Sequence, residues 1–210
     1  MKAESIIRGR LVAGLGAMGM VPASEQIDSL IGFLALMQRW GKAYNLTAIR
    51  EMAEGVDLHL LDSLTVSPFL AGSRMLDVGT GAGLPGIPLA ILHPERQFVL
   101  LDSSAKKIRF VRHVIMELGL ANVEAIAVRV EDYRSESGFD RVLARAFASL
   151  AEIRSMVGHL LTPGGRILAL KGRYPQDELD ALTDAVDLRV HPLAIPDLGV
   201  DRHLIDFEVG

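Results

Sequence analysis

The sequence predicts an α/β protein in which seven strands form a doubly wound sheet, preceded by an N-terminal helical extension. Three observations favour this fold. From residue 74 onward, short apolar runs alternate with helical patterns, which is the order typical of parallel sheets. A glycine-rich loop joins the first of these runs to a helix. The last two apolar runs have no helical pattern between them, so we expect them to pair as antiparallel strands.

The helical extension is predicted from apolar periodicity. Residues 24–42 carry apolar side chains at helical spacing, and Ser24 is a candidate N-cap. A second helix is predicted from about Ala53 to Val66, before Pro68, which cannot continue a helix. We assign residues 1–70 to a helical cap and residues 71–210 to the sheet domain, and expect the two to form one compact unit.

The strands and helices that follow are bounded by turn residues. The predicted strands span 74–78, 97–102, 123–128, 139–146, 165–171, 187–195 and 202–210. The predicted helices span 85–92, 104–120, 149–161 and 176–186. Pro85 suits the first turn of its helix, and Gly119 suits the end of its helix. Only a tight turn is expected between the last two strands.

Composition excludes several classes of protein. The 210 residues contain no cysteine, which excludes disulfides and thiolate metal sites. No apolar run of about 18 residues is present, so no membrane span is predicted. Glycines interrupt the apolar part of the first 25 residues, which argues against a signal peptide. We therefore expect a cytoplasmic protein, and a monomer. A net charge of −4 does not indicate a nucleic-acid binder, although a local basic face would suffice.

The loop at residues 79–86 is the first candidate site. It contains the pattern G-x-G-x-x-G from Gly81 to Gly86, placed between a strand and a helix. Such a loop offers backbone N–H groups, and Thr80 adds a hydroxyl. Two ligands would use it: the pyrophosphate of a dinucleotide such as NAD, or the cationic cofactor S-adenosylmethionine.

Two carboxylates bear on that choice. Asp77, just before the loop, would repel a pyrophosphate and attract an ammonium or sulfonium group. The alternative for Asp77 is a buried carboxylate that caps nearby amides. Asp102, at the end of the next strand, would accept hydrogen bonds from ribose hydroxyls of either cofactor. Because the chain leaves little room for a separate substrate domain, these features favour S-adenosylmethionine. After the third strand, Val130 and Glu131 would face the adenine, unless Glu131 belongs to a solvated acidic turn.

Basic and aromatic residues near two strand ends are candidates for substrate binding. Arg141 and Arg145 flank the apolar end of the fourth strand and Phe147 follows it, a combination that suits a nucleobase. The alternative for Arg145 is a salt bridge to Asp77 or Glu131. Lys171 and Arg173 close the fifth strand, where phosphates would run.

Two further groups of polar residues are candidates for RNA contact and for metal binding. Lys106 and Arg109 form part of a basic stripe on one helix, which is either an RNA contact or an ordinary solvated face. His59 and Asp62 lie on one helix face without an evident third ligand. We therefore expect no metal site, and a buried, hydrogen-bonded His59.

Six ordered segments resemble the ribosomal RNA small subunit methyltransferase G family, also called glucose-inhibited division protein B. They are "WGKAYNLTAI", "HLLDSLTV", "LDVGTGAGLPGIPLA", "LLDSSAKKIRFVRHV", "RVEDY" and "ARAFASL", followed by "ALKG". The resemblance covers residues 39–173, and more weakly the "DRHLI" near residue 203. The chain departs from the family where Ala82 replaces a usual proline, where Leu58 replaces a common basic residue, and over the first 20 residues.

The resemblance implies a Rossmann-like class I methyltransferase fold and N7-methylation of one guanine in a loop of 16S ribosomal RNA. It places cofactor contacts on Gly79, Leu84, Val130, Glu131 and Arg145. With the residues of the loop and its acids, the candidate cofactor contacts are Asp77, Gly79, Thr80, Gly81, Gly83, Leu84, Asp102, Val130, Glu131 and Arg145.

Guanine N7 carries an accessible lone pair, so no obligatory general base is expected. Arg145 is then the candidate catalytic residue, through orientation of the cofactor or the RNA. The alternatives that the residues leave open are a small-molecule methyltransferase, an NAD-dependent oxidoreductase and a non-catalytic RNA-binding protein.

Overall fold

A computed structural model of the chain describes residues 2–44, 49, 51–182 and 185–209. Its centre is one seven-stranded sheet with the spatial order β3-β2-β1-β4-β5-β7-β6. The strands are β1 Arg74–Val78, β2 Gln97–Asp102, β3 Val123–Ala127, β4 Phe139–Arg145, β5 Leu161–Lys171, β6 Ala185–Pro192 and β7 His203–Val209. The predicted α/β fold with seven strands is confirmed.

The sheet is parallel except at one edge. Strands β1 to β5 pair in parallel, whereas β7 is antiparallel to both β5 and β6. Strand β1 lies between β2 and β4, so the direction of winding reverses at that point. In open α/β sheets, ligands bind outside the carboxyl ends of the strands beside such a reversal. The fold therefore points to the ends of β1 and β4.

The helices surround this sheet on both faces. They are α1 Lys2–Ala17, α2 Ser24–Tyr44, α3 Met52–Gly55, α4 Asp62–Leu64, α5 Gly86–Leu92, α6 Ala105–Leu118, α7 Leu150–Val157 and α8 Gln176–Asp180. A π-helical turn, Val56–Leu61, joins α3 to α4. The Ser104 hydroxyl caps α6, and Gly119 ends it in the left-handed conformation, where glycine avoids the steric cost of a Cβ atom.

Two apolar clusters pack on the sheet. The larger one joins Leu11 and Phe33 of the N-terminal helices to Leu100 of the sheet and Phe110 of α6. The smaller one joins the sheet to α7, through residues such as Ile153. The N-terminal helices thus bury their apolar faces in a core that they share with the sheet. The domain boundary at residue 70 stays a prediction.

Two predictions at the C-terminal end are wrong. The predicted helix 176–186 stops at Asp180, and Ala185 already begins β6, because pairing with β7 outweighs a weak local preference. The last two strands are antiparallel as expected, but residues 193–202 separate them instead of a tight turn. That longer segment brings Arg202 to the site described below.

Three other boundaries differ from the sequence analysis. Helix α7 ends at Val157 and a short 3₁₀ turn leads into β5, which begins at Leu161. The predicted helix 53–66 covers the helical run 52–64, although its middle is a π-helical turn. Helix α1 carries no clear apolar periodicity in the sequence, yet Leu11 and Leu15 are fully buried.

Candidate active site

The buried Asp77 side chain binds groups at both ends of the glycine loop. Its side chain is fully buried, and its Oδ2 accepts hydrogen bonds from the Thr80 hydroxyl at 2.7 Å and from the Gly86 N–H at 2.9 Å. These two donors stand at opposite ends of the loop. One carboxylate oxygen therefore fixes the path of the whole loop.

The burial of Asp77 has an electrostatic consequence. Burial raises the pKa of this carboxyl from 3.8 to about 7, against the opposing effect of the two hydrogen bonds. Its Oδ1 is buried and has no hydrogen-bond partner among the described residues. This geometry matches the alternative interpretation, a buried carboxylate that caps nearby groups. Direct contact between Asp77 and a cofactor stays a prediction.

Asp102 holds the outer side of the loop. Its Oδ2 accepts a hydrogen bond from the Gly81 N–H at 3.0 Å, and its Oδ1 accepts one from the Ser104 N–H at 2.8 Å. The Lys107 ammonium lies 3.4 Å from the same carboxylate. Asp102 therefore stands at the end of β2, next to the loop, as the sequence predicts.

A pocket of about 340 Å³ opens between this carboxylate and the end of β4. It is lined by Gly79, Leu101, Asp102, Ser103, Lys107, Val128, Arg129, Val130, Glu131, Ala146 and Phe147. The pocket combines an acid, an apolar wall at Val130 and nearby loop backbone. This donor and acceptor set is chemically suited to an adenosyl group, and contact between Asp102 and ribose hydroxyls stays a prediction. We call it the cofactor pocket.

The predicted cofactor residues divide into two groups. Gly79, Asp102, Val130 and Glu131 line the cofactor pocket. Six others lie outside its lining: Asp77, Thr80, Gly81, Gly83, Leu84 and Arg145, the last of which lines a neighbouring cavity. Thr80 and Leu84 are buried, so they shape the loop from inside, and their contact with a cofactor stays a prediction.

The loop glycines serve different purposes. Gly79 and Gly81 adopt φ values of +65° and +61°, which L-residues with a Cβ atom adopt only at a cost. The Phe147 ring lies against Gly79, where a Cβ atom would stand 2.2 Å from Cδ2. At Gly83 a Cβ atom would stand 2.6 Å from the Ile87 side chain. Glycine is thus required at position 83 by packing beneath the loop.

A second cavity, of about 420 Å³, adjoins the cofactor pocket. It is lined by Ile49, Leu58, His59, Asp62, Arg145, Ala146, Leu170, Lys171, Gly172 and Arg202. Ala146, just after β4, belongs to both linings. We call this second space the substrate cavity. It brings together one residue cluster from the N-terminal helices, one from the ends of β4 and β5, and Arg202.

Asp62 is the centre of the charges in the substrate cavity. Its Oδ2 accepts a hydrogen bond from Arg145 Nη1 at 2.9 Å, and its Oδ1 accepts one from Arg202 Nε at 2.8 Å. Arg145 forms a salt bridge, as the alternative interpretation predicts. Its partner is Asp62, however, so the predicted partners Asp77 and Glu131 are wrong. The π-helical turn and α4 present Asp62 to the end of β4, a placement that periodicity does not reveal.

His59 lies beside this pair and is buried. Burial, and next the positive charge of Arg145, lower its pKa from 6.5 to about 4. His59 is therefore uncharged near neutral pH. In the described part of the chain, no three His, Asp or Glu side chains are grouped to hold a metal ion.

Two of the predicted substrate residues differ from expectation: Arg141 lies away from the strand end, and Lys171 is paired with an acid. Arg141 pairs with Met75 and Arg166 in the sheet, four residues before the end of β4. At about 3.3 Å per residue this is roughly 13 Å from Arg145, so the prediction that it flanks the strand end is wrong. Lys171 lines the substrate cavity, but its ammonium is 2.7 Å from Glu178.

The remaining candidates are accessible. Phe147 lines the cofactor pocket and is 36% exposed. Arg173, Lys106 and Arg109 are exposed. The residues that sequence reasoning missed are Lys107, Asp62 as a partner of arginine, and Arg202. Arg202 belongs to the weakly matching "DRHLI" segment, which was the one available signal.

The strand order, with the antiparallel β7 between β5 and β6, and the glycine loop after β1 define a Rossmann-like fold of the class that S-adenosylmethionine-dependent methyltransferases adopt. Structural comparison finds the same fold in a glycopeptide N-methyltransferase, MtfA, solved with S-adenosyl-L-methionine (TM-score 0.61, 12% identity, 72% of this chain and 87% of that chain). It also finds tRNA (m1A58) methyltransferase TrmI from Aquifex aeolicus (TM-score 0.57, 15% identity, 71% of this chain and 69% of that chain). Both likenesses concern the fold.

Sequence comparison is more specific. The family described as rRNA small subunit methyltransferase G matches residues 26–205. A protein named ribosomal RNA small subunit methyltransferase G from Methylococcus capsulatus is 52% identical over 94% of this chain and 97% of its own length. Another of that name, from Nitrosococcus oceani, is 45% identical over 96% of this chain and 95% of its own length. The chain belongs to the rRNA small subunit methyltransferase G family, as its motifs predict.

Proposed function

We propose that this enzyme transfers the methyl group of S-adenosylmethionine to N7 of one guanine in 16S ribosomal RNA. The observation that carries the proposal is the meeting of two cavities at Ala146. One fits a nucleoside cofactor through Asp102, and the other offers two guanidinium groups to a substrate. Membership of the rRNA methyltransferase family supports this reaction over a small-molecule methyltransferase or an NAD-dependent oxidoreductase.

The chain holds the cofactor through the residues of the first pocket. Asp102 would accept hydrogen bonds from the ribose hydroxyls, Val130 would give the adenine an apolar wall, and the backbone of Val130 and Glu131 would bind its polar edge. When bound, S-adenosylmethionine supplies an electrophilic methyl group on a positively charged sulfur. The Asp77 carboxyl, below the loop, keeps the backbone of residues 79–86 in position.

The substrate cavity receives the guanine. Leu58 and Leu170 give it apolar walls, and Arg145 and Arg202 give it hydrogen-bond donors. Guanidinium groups suit the O6 carbonyl of guanine or the RNA phosphates, and donation to these atoms leaves the N7 lone pair free for the methyl group. The exposed Phe147 and the basic residues Lys106, Arg109 and Arg173 extend this surface for neighbouring nucleotides.

The reaction needs no general base from the protein. N7 of guanine already carries its lone pair, so no proton has to be removed before it attacks the methyl group. The residues of the cavity therefore act by orientation, which accounts for large rate gains when two reactants are aligned. Arg145 is the orienting residue, and the Asp62 carboxylate binds its guanidinium group.

The proposal is tested by methylation of small-subunit RNA with labelled cofactor, followed by mapping of the labelled base. We expect label at N7 of a single guanine. RNA in which 7-deazaguanine replaces that guanine should take up no label, because a C–H group stands where the nucleophile was. Label at another atom or in a metabolite, or label in the deaza substrate, would refute the assignment.

Arg145→Ala tests the role of the orienting residue. We expect kcat/KM for the RNA to fall about 100-fold, and a variant that keeps full activity at limiting RNA would contradict the role. Arg141→Ala is the comparison, because Arg141 lies on the same strand away from the cavity. It should keep the activity of the parent enzyme.

We further propose that the enzyme works as a monomer in the cytoplasm, where ribosomal RNA is assembled into subunits. Among the helices of the described residues, none combines the length and apolar composition that a membrane span requires. Light scattering on the purified protein gives its mass directly. A stable dimer would contradict the first part of this proposal.

A further inference from the structure

We infer that Asp62 is a positioning residue, whose carboxylate aims the Arg145 and Arg202 guanidinium groups at the RNA. The inference deepens the proposed function and rests on it. It starts from one carboxylate that binds two arginines from distant parts of the chain, at 2.9 Å and 2.8 Å. All three side chains line the substrate cavity.

Asp62 holds the two arginines through separate carboxylate oxygens. Each oxygen accepts from a different arginine, so rotation of the carboxylate would break both contacts together. Asp62 itself is buried, with 6% of its side chain exposed, whereas the arginine side chains are 22% and 25% exposed. The carboxylate thus forms a fixed inner anchor, and the guanidinium groups are the outer, accessible part.

Arg145 and Arg202 each have N–H groups for which the described residues provide no acceptor. The described residues provide a hydrogen-bond partner for one nitrogen of Arg145, Nη1, which bonds Asp62 and the Leu58 carbonyl. They leave Nε and Nη2 of Arg145 without one. In Arg202, Nε bonds Asp62 and Nη1 bonds the Asp201 carbonyl, which leaves Nη2. The anchored arginines therefore retain N–H groups for acceptor atoms of the substrate.

The small contribution of buried ion pairs to stability also favours a role in orientation. Desolvation offsets most of the attraction in such pairs, so they contribute little to stability compared with apolar residues of similar size. A carboxylate that immobilises two arginines instead reduces the conformational entropy that they would lose on binding RNA. The arrangement is thus explained by orientation more readily than by stability.

Asp57 provides a matched control within the same helical run. It is also buried and also bonds an arginine, Arg10, through Nε at 2.8 Å. Neither Asp57 nor Arg10 lines the substrate cavity or the cofactor pocket. Asp57→Asn removes the same charge from a buried carboxylate that binds a single arginine outside both cavities, so it reports the structural cost of losing a buried ion pair.

The test compares Asp62→Asn, Asp62→Glu and Asp57→Asn. In Asp62→Asn we expect kcat/KM for the RNA to fall about 100-fold, with cofactor affinity changed by less than about twofold. Asp62→Glu restores the charge, and we expect it to recover at least about tenfold of that loss. Asp57→Asn should lower the melting temperature by a similar amount and keep kcat/KM within about twofold of the parent.

Each outcome decides the question. If Asp62→Asn and Asp57→Asn lose activity only in proportion to their loss of stability, the positioning role is wrong. If Asp62→Asn loses cofactor affinity as well, the role is also wrong, because the effect then reaches beyond the substrate. If the parent enzyme methylates no guanine N7, the proposed function fails first. A parent that methylates N7 while Asp62→Asn matches it overturns only this inference.

Discussion

The cofactor pocket and the substrate cavity adjoin at Ala146, yet they are built in different ways. The cofactor pocket takes its lining from residues 79–147, in four stretches that each follow a parallel strand. The substrate cavity takes its charges from positions 62, 145, 171 and 202. The first therefore follows from the local order of strands and loops. The second exists only when the N-terminal helices and the segment before β7 have both packed against the sheet.

This difference teaches where variation is tolerated. The cofactor pocket is formed largely by backbone at strand ends, so its shape depends on a few glycines and acidic residues. A cavity that is defined by side chains from separate segments changes when any one of those segments moves. We expect substitutions in the first region to affect cofactor affinity, and substitutions in the second to affect the use of RNA.

The largest expected effect tests whether the two regions are separable. Asp102→Ala removes the acceptor for the ribose hydroxyls and the bonds to the Gly81 and Ser104 N–H groups. We expect cofactor affinity to fall about 1000-fold, since hydrogen bonds to charged groups contribute roughly 1.5–3 kcal/mol each. Isothermal titration measures it, with the exposed neighbour Asp132→Ala as control. Unchanged affinity would reject the ribose role.

The next effect concerns the base of the glycine loop. Because burial raises the pKa of Asp77 to about 7, its protonated form is favoured in the folded state. Its stabilising contribution is fully present below pH 4 and is lost as pH rises through 7. Relative to Asp77→Asn, the parent should lose about 3 kcal/mol of unfolding free energy between pH 4 and pH 8. Paired denaturation curves across this range check it, and parallel curves would contradict it.

A pair of glycine substitutions sharpens the comparison in the glycine loop beside the cofactor pocket. Gly83→Ala places a Cβ atom 2.6 Å from Ile87 at a φ of +87°, and we expect a loss of about 2–3 kcal/mol. At Gly81 the nearest atom is the Gly79 carbonyl oxygen at 3.9 Å, so Gly81→Ala should cost about 1 kcal/mol. Thermal denaturation ranks the two variants. Equal losses would mean that the loop relaxes more than its packing indicates.

The smallest effect belongs to the outer RNA surface. Arg109→Ala and Arg173→Ala each remove one exposed charge, and we expect RNA affinity to fall about threefold with cofactor affinity unchanged. If these residues contact phosphates, each variant should reduce the slope of log affinity against log salt by about 1. Titrations at three salt concentrations measure that slope. An unaltered slope would indicate that these arginines belong to a solvated face.

The parts of the site that could be predicted from sequence are those encoded by neighbouring residues. The strand, glycine loop and helix at 74–92 are recognisable because turn and burial requirements stand within a few positions of each other. The acid at the end of β2 follows in the same way. These residues also carry most of the resemblance to the family.

What could not be predicted depends on long-range packing. Arg145 finds Asp62 and not Asp77, because the π-helical turn Val56–Leu61 and α4 bring that carboxylate to the end of β4. Arg202 reaches the cavity because residues 193–202 form a long connection where a tight turn was expected. Arg141 was misplaced because four residues of extended strand separate it from Arg145, so the two side chains cannot flank one strand end.

The position of β7 inside the sheet, between β5 and β6, sets an order of events during synthesis. Translation releases Arg202 and β7 after every other described part of the substrate cavity. Until they emerge, β5 presents an unpaired edge, and Asp62 has only one of its two arginines. The chain thus contains every lining residue of the cofactor pocket by position 147, whereas the substrate cavity needs position 202.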